Sequence, residues 1–142
     1  MHVPGLARGL VLLGCWFGMA GAVHAESVER GRALYETRCS ACHSVEINRT
    51  GPLHAGVLGR RAGSVEGFTY SNALTASQLL WTRENLLAWL KDPEALIPGQ
   101  LMFLNVPDER DREDVVSYLM TLKSDKPSSS PQNSNPKPEN KQ

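Results

Sequence analysis

Arg38-Cys39-Ser40-Ala41-Cys42-His43 decides how this chain reads. Cys39, Cys42 and His43 form C-x-x-C-H, the spacing at which a c-type haem is attached. Two thiols must reach the two vinyl groups on one edge of the porphyrin to form thioethers, and the next residue then places an imidazole under the iron. A covalently held haem cannot dissociate, so a small domain can use it as a permanent part of its core. The same C-x-x-C spacing also serves zinc and dithiol redox sites. A zinc site normally takes four protein ligands. The only other cysteine is Cys15, in an N-terminal export signal, and outside that signal the only other histidine is His54. Adjacent residues such as Cys42 and His43 are awkward joint ligands for one tetrahedral ion. A dithiol redox site expects a strand-to-helix turn in a βαβ unit, and no such pattern surrounds the motif. One covalent haem c is the expected cofactor.

Residues 1–25 read as a secretory signal. Arg8 supplies the positive start, Leu10 to Val23 is apolar or small and uncharged, and Val23-His24-Ala25 offers a cleavage site before Glu26. The apolar run is short and glycine-rich for a membrane span. An uncleaved anchor, or a lipid on Cys15 after Leu12-Leu13-Gly14, are the alternatives. Export fits the motif, because paired thiols are best handled outside the reducing cytoplasm, and the expected location is the periplasm. Without Cys15 the chain keeps only Cys39 and Cys42, so the haem must act as the staple that so small a domain wants.

The patterned sequence is confined to 26–123, one domain without internal repeats. Residues 124–142 are Ser, Pro, Asn, Lys and Gln with scattered charges and no apolar residue, a composition expected to be disordered. The domain carries 11 Lys/Arg against 13 Asp/Glu, a net charge of −2, and its only lysines are Lys91 and Lys123. No basic stripe points to nucleic acid, and no lysine-rich face offers docking to an acidic partner.

The reading is all-α, with three main helices. Ser27 caps the first, where Gly31, Leu34, Tyr35 and Arg38 recur at helical spacing. Gly31 costs helix stability, either as a tolerated defect or because it marks a close helix crossing. Thr82 caps the second, with Leu86, Leu87, Trp89 and Leu90 on its apolar face and Pro93 ending it after Lys91-Asp92. Asp108 caps the third, with Val115, Val116, Tyr118, Leu119 and Leu122 as its buried stripe and Lys123 at its end. Ser71 to Leu74 can add a turn. The rest is loop, and loops this long make sense when they wrap a flat cofactor.

His43 provides one axial ligand, and the other decides between electron transfer and chemistry on a bound small molecule. The candidates are His54, Met102 and Met120. Met120 lies inside the third helix, where packing or exposure accounts for it. His54, eleven residues after His43, would have to cross to the far haem face through a short loop, which favours a surface or loop role. Met102 follows the turn Pro98-Gly99 in the segment that returns to the third helix. Spacing favours it as the ligand, with gap-filling as the alternative.

Taken together, the residues resemble a class I cytochrome c, of the bacterial type similar to mitochondrial cytochrome c. The resemblance spans 26–123. It rests on Gly31 and Tyr35, the C-x-x-C-H motif, Thr50-Gly51-Pro52 and Leu58-Gly59-Arg60-Arg61-Ala62-Gly63. It continues through Gly67-Phe68-Thr69-Tyr70-Ser71-Asn72-Ala73-Leu74, Trp81, Pro98-Gly99-x-x-Met102 and Tyr118-Leu119. It implies that His43 and Met102 are the axial ligands and that the Pro52 carbonyl accepts a hydrogen bond from His43. It also implies that Arg60, Tyr70 and Trp81 serve the haem propionates and that Gly31 crosses the last helix near Tyr118.

Three departures stand out. Leu53-His54-Ala55 replaces the family's usual Asn-Leu-His, so His54 inherits no role. Trp89 stands where a tyrosine usually contacts the ligand sulfur, so the iron–sulfur bond should be tuned differently. Leu101 replaces a common lysine. The expected function is a periplasmic one-electron carrier, monomeric and not an enzyme, passing electrons between redox proteins. It would meet a membrane only through partners or an uncleaved N-terminus. Alternatives are a dedicated cytochrome subunit of a dehydrogenase or oxidase, and a haem peroxidase or gas sensor with a labile distal ligand.

Overall fold

Each helix starts where a side chain can replace the missing backbone acceptor of the first turn. Five helices result among residues 25–124, which the computed structural model describes. Apart from Ala25 and Ser124, the export signal and the 124–142 tail lie outside the described residues. Helix α1 (Val28–Arg38) is capped by Ser27, α2 (Asn72–Ala76) by Ser71 and α3 (Arg83–Lys91) by Thr82. Helix α4 (Pro93–Leu96) is capped by Asp92 and α5 (Glu109–Thr121) by Asp108. The only strand-like feature among the described residues is a single bridge between Arg61 and Leu80.

The three longer helices match the sequence expectation, with small differences at the ends. Helix α5 stops at Thr121, two residues before Lys123. Helix α4 was not foreseen. Pro93 does end α3, as expected, but it then opens a new turn, because a proline at the first helical position loses no hydrogen bond. Asp92 closes one helix and caps the next.

The frame is the crossing of α1 and α5. A Cβ built on Gly31 would overlap the Asp114 carbonyl oxygen and lie 3.1 Å from the Tyr118 Cβ. Only glycine lets the two backbones come so close. An ion pair between a buried carboxylate and a partly exposed guanidinium locks the crossing. Asp114 is fully buried, accepts a 2.7 Å bond from the Ser27 N–H, and pairs with the Arg30 guanidinium. Arg38 pairs with Asp111 one turn away, at 3.1 Å. Val115, Val116 and Leu119 of α5 are buried, as are Leu86, Trp89 and Leu90 of α3. Among the described residues, no helix is long and apolar enough to cross a membrane.

Candidate haem-binding site

The attachment motif leaves the end of α1 as a tight turn. The Cys39 N–H bonds back to the Tyr35 carbonyl at 2.9 Å, and the His43 N–H to the Cys39 carbonyl at 2.9 Å. Cys39 is thereby buried and Cys42 left exposed. Cys39, Cys42, His43, Pro52, Arg60, Tyr70, Trp81 and Met102 all line one cavity of about 660 Å³. Leu86, Trp89, Leu90, Val115 and Leu119 also face it, so the apolar core opens directly into the cavity. The volume lies within the range of small-molecule and cofactor sites.

His43 Nδ1 lies 2.8 Å from the Pro52 carbonyl oxygen and, with that acceptor, is the nitrogen that carries the proton. Nε2 is then the nitrogen left to bind a metal. Burial pushes the His43 pKa down, and the Pro52 bond opposes the shift. Gly51 packs on the same ring: a Cβ there would lie 2.6 Å from Nδ1 and 2.7 Å from Nε2.

Met102 sits in the loop between α4 and α5, half-buried, and the Trp89 indole N–H donates to its sulfur at 3.1 Å. Trp89 is buried and meets Trp81 edge to face at 5.2 Å between ring centres. The sequence flagged Trp89 as a departure, and periodicity placed it on the apolar face of α3. Neither reading showed that its indole would point its one donor at Met102. The loop returns to α5 through Arg112, whose guanidinium donates to the carbonyls of Val106 at 2.8 Å and Pro107 at 2.6 Å. Met120 is exposed on α5.

Arg60 lines the cavity, but its guanidinium also ties the loop that precedes it. It donates to the Leu53 and Ala55 carbonyls, each at 2.8 Å. Burial lowers its pKa and Tyr70 opposes the shift. Burial raises the Tyr70 pKa, against a backbone hydrogen bond at Val65 and the Arg60 charge.

His54 differs from the expectation of a surface or loop role. It is on a loop, yet it faces inward, with its ring stacked on His43 at 4.2 Å and 19°. Its Nδ1 lies 3.2 Å from the Tyr35 hydroxyl. Burial, with His43 and Arg60 adding to it, pushes its pKa down to about 3, so it is neutral at physiological pH. Burial likewise pushes the Tyr35 phenol up to about 12, with Cys39 and Tyr118 acting the same way. Among the described residues, no group of three or more His, Cys, Asp or Glu could hold a metal ion on its own.

The donor set fits a haem: an apolar cavity for the ring, two thiols for its vinyl groups, and an imidazole and a thioether both lining that cavity. A helical chain built around such a cavity is a haem protein of the covalent, c type. A family model described as Cytochrome c matches residues 28–123, and the chain belongs to this family, as a class I cytochrome c. It is 41% identical over 98 residues to cytochrome c of Euglena viridis, covering 67% of this chain and 96% of that one. It is 35% identical over 124 residues to cytochrome c2 of Blastochloris viridis, covering 84% and 94%. Among solved structures it is similar to cytochrome cH from Methylobacterium extorquens, with TM-score 0.64 and 36% identity over 67% of this chain and 98% of that one. The chain therefore carries one covalently bound haem c and is an electron carrier rather than an enzyme.

Proposed function

We propose that the chain is exported, loses residues 1–25, and works in the periplasm as a one-electron carrier between redox proteins. In this reading Cys39 and Cys42 form the thioethers, and His43 and Met102 are the two axial ligands. The observation that carries it is the pair of pre-set donors in one cavity: His43 oriented by Pro52, and Met102 oriented by Trp89. The haem supplies the ferric–ferrous couple.

The protein's own residues set the conditions for that couple. A thioether favours the ferrous state and raises the potential. The Trp89 N–H withdraws electron density from the Met102 sulfur and acts in the same direction. The apolar wall built by Leu86, Leu90, Val115 and Leu119 excludes water. Pro52 keeps His43 in a single tautomer and raises its basicity. Arg60, Tyr70 and Trp81 would serve the propionates, with Arg60 at the same time holding the loop that carries His54. Rigid attachment of both ligands keeps the two oxidation states alike, so little rearrangement accompanies transfer. Glu26 supports a domain boundary at this point, since its carboxylate pairs with Arg83 and accepts a 2.5 Å bond from Ser117.

The near-neutral, lysine-poor domain supports partners that dock without strong charge attraction. A dedicated cytochrome subunit of a dehydrogenase or oxidase is the second reading that this favours. Fractionation of the native host with intact-mass analysis tests the export reading. The expected species is periplasmic, begins at Glu26 and carries one haem. A cytoplasmic protein that retains residues 1–25 would contradict it. Met102→Ala tests the ligand assignment, and should turn the ferric protein from low-spin to high-spin.

A further inference from the structure

Besides His43, His54 is the only histidine among the described residues, and attachment of the haem gives it no task. Its surroundings are nonetheless specific. Its ring lies nearly parallel to the His43 ring, 4.2 Å between centres and 19° between planes. Its Nδ1 is within hydrogen-bond distance of the Tyr35 hydroxyl, at 3.2 Å, and the Tyr35 ring meets it edge-on at 5.6 Å. Tyr35 belongs to α1 and packs on Tyr118 of α5 at 5.3 Å. The His54 backbone is held as well, its N–H bonding the Ser44 carbonyl at 3.0 Å and its carbonyl accepting from the Val57 N–H at 3.0 Å. A continuous contact chain thus runs from the helix crossing to the imidazole that carries the metal-binding nitrogen.

One hydrogen bond cannot fix a ring completely. The Pro52 carbonyl holds the position of Nδ1 and Gly51 crowds the ring beside it, but neither presents a flat face that fixes its plane. A flat neighbour stacked on the ring removes this freedom, because a tilt would break the parallel contact. We propose that His54 is a positioning residue for the axial imidazole: stacked on His43 and pinned through Tyr35, it sets the plane of the His43 ring relative to the haem. This rests on the reading that His43 binds the iron. The plane of an axial imidazole decides which iron d orbital its π electrons meet, and so how unpaired spin spreads over the porphyrin substituents of the ferric protein.

The test compares the haem methyl resonances of the ferric holoprotein by proton NMR in the parent, His54→Leu and His54→Phe. Leucine fills similar space without a flat face, and phenylalanine restores the face. His54→Leu should shift the order or spread of the four methyl resonances, and His54→Phe should return them towards the parent pattern. If His54 only fills space, His54→Leu matches the parent, and the proposal is overturned. It is equally overturned if the leucine and phenylalanine variants shift alike. Where His54→Leu yields no holoprotein, Tyr35→Phe carries the test: loss of the pinning hydroxyl should shift the pattern, and an unchanged pattern overturns the proposal. A parent protein that is high-spin would instead defeat the ligand reading itself. A low-spin parent with an indifferent His54→Leu defeats the positioning role alone.

Discussion

The two sides of the cavity are built differently. The His43 side, from Cys39 to Arg60, is cross-linked within itself. The Gly51 N–H bonds the Cys42 carbonyl, the Ala55 N–H bonds the Val45 carbonyl, and the Gly56 N–H reaches α5's end at the Leu122 carbonyl. Arg60 adds two bonds to the same loop, and Asn48 accepts a further one from the Leu53 N–H. The Met102 side is suspended mainly from its ends. Glu94 accepts from the Gly99 N–H at 3.0 Å at one end, and the Val106 N–H meets the Leu90 carbonyl at 2.7 Å at the other. Between them Met102 is tied through the Gln100 side chain and Trp89. His43 is thus set in a rigid block and Met102 on a strap, and the strap should yield first.

The largest expected effect is a contrast between two glycines. Gly51→Ala would drive a methyl into the His43 ring, an overpacking expected to cost about 3 kcal/mol or more. Gly99→Ala meets only the Ala73 Cβ at 3.5 Å, so its cost is the strain of a residue at φ +84, about 1–2 kcal/mol. Thermal or denaturant unfolding of the two holoproteins measures the difference, and equal costs would break the comparison.

Guanidinium titration sharpens it next. The weak sulfur-to-iron absorption band should vanish at lower denaturant than the helical circular dichroism. Coincident transitions would show that the strap is as firm as the block.

Trp89→Phe should have a smaller effect. It removes the donor to the Met102 sulfur, a net loss of about 1 kcal/mol before any repacking of the smaller ring. The thioether then donates more freely to ferric iron, so the midpoint potential should fall. An unchanged or raised potential would remove Trp89 from the account.

The effect with the least bearing at neutral pH is an alkaline stability slope on the His43 side. The Tyr35 phenol titrates near 12 when folded, against about 10 unfolded. The folded state therefore keeps its proton while the unfolded state loses it. Stability is full below pH 10 and falls as pH rises towards 12, by about 2–3 kcal/mol at most. Tyr35→Phe should flatten this alkaline slope in a denaturation series, whatever it does to stability at neutral pH.

Much of the fold was legible because its strongest signals are local. Ser27, Thr82 and Asp108 stand where caps must stand, and the apolar spacing after each shows a buried face. Gly31 raised two readings, and the Asp114 backbone beside it selects the close crossing. From sequence Pro93 reads only as a helix stop, since no periodic signal marks the four-residue turn that Asp92 caps around it. The C-x-x-C-H motif announced the haem because the chemistry needs five consecutive residues. The place of Met102 at the cavity followed from its turn and the family resemblance rather than from periodicity. His54 and Arg60 were less legible. Stacking on His43 and bonding to the Leu53 and Ala55 carbonyls depend on how the 44–60 loop folds back, and no periodic pattern encodes that path. The Trp89 donor is similar: an indole on an apolar helix face reads as packing until Met102 is placed opposite its nitrogen.

The most direct test of the central claim is a redox titration of the holoprotein at neutral pH, followed by absorption from the haem bands to the long-wavelength sulfur-to-iron band. A carrier ligated by His43 and Met102 should titrate reversibly as a single one-electron couple, low-spin in both states, with the long-wavelength band present in the ferric form and lost on reduction. A ferric form that is high-spin and lacks that band would contradict it.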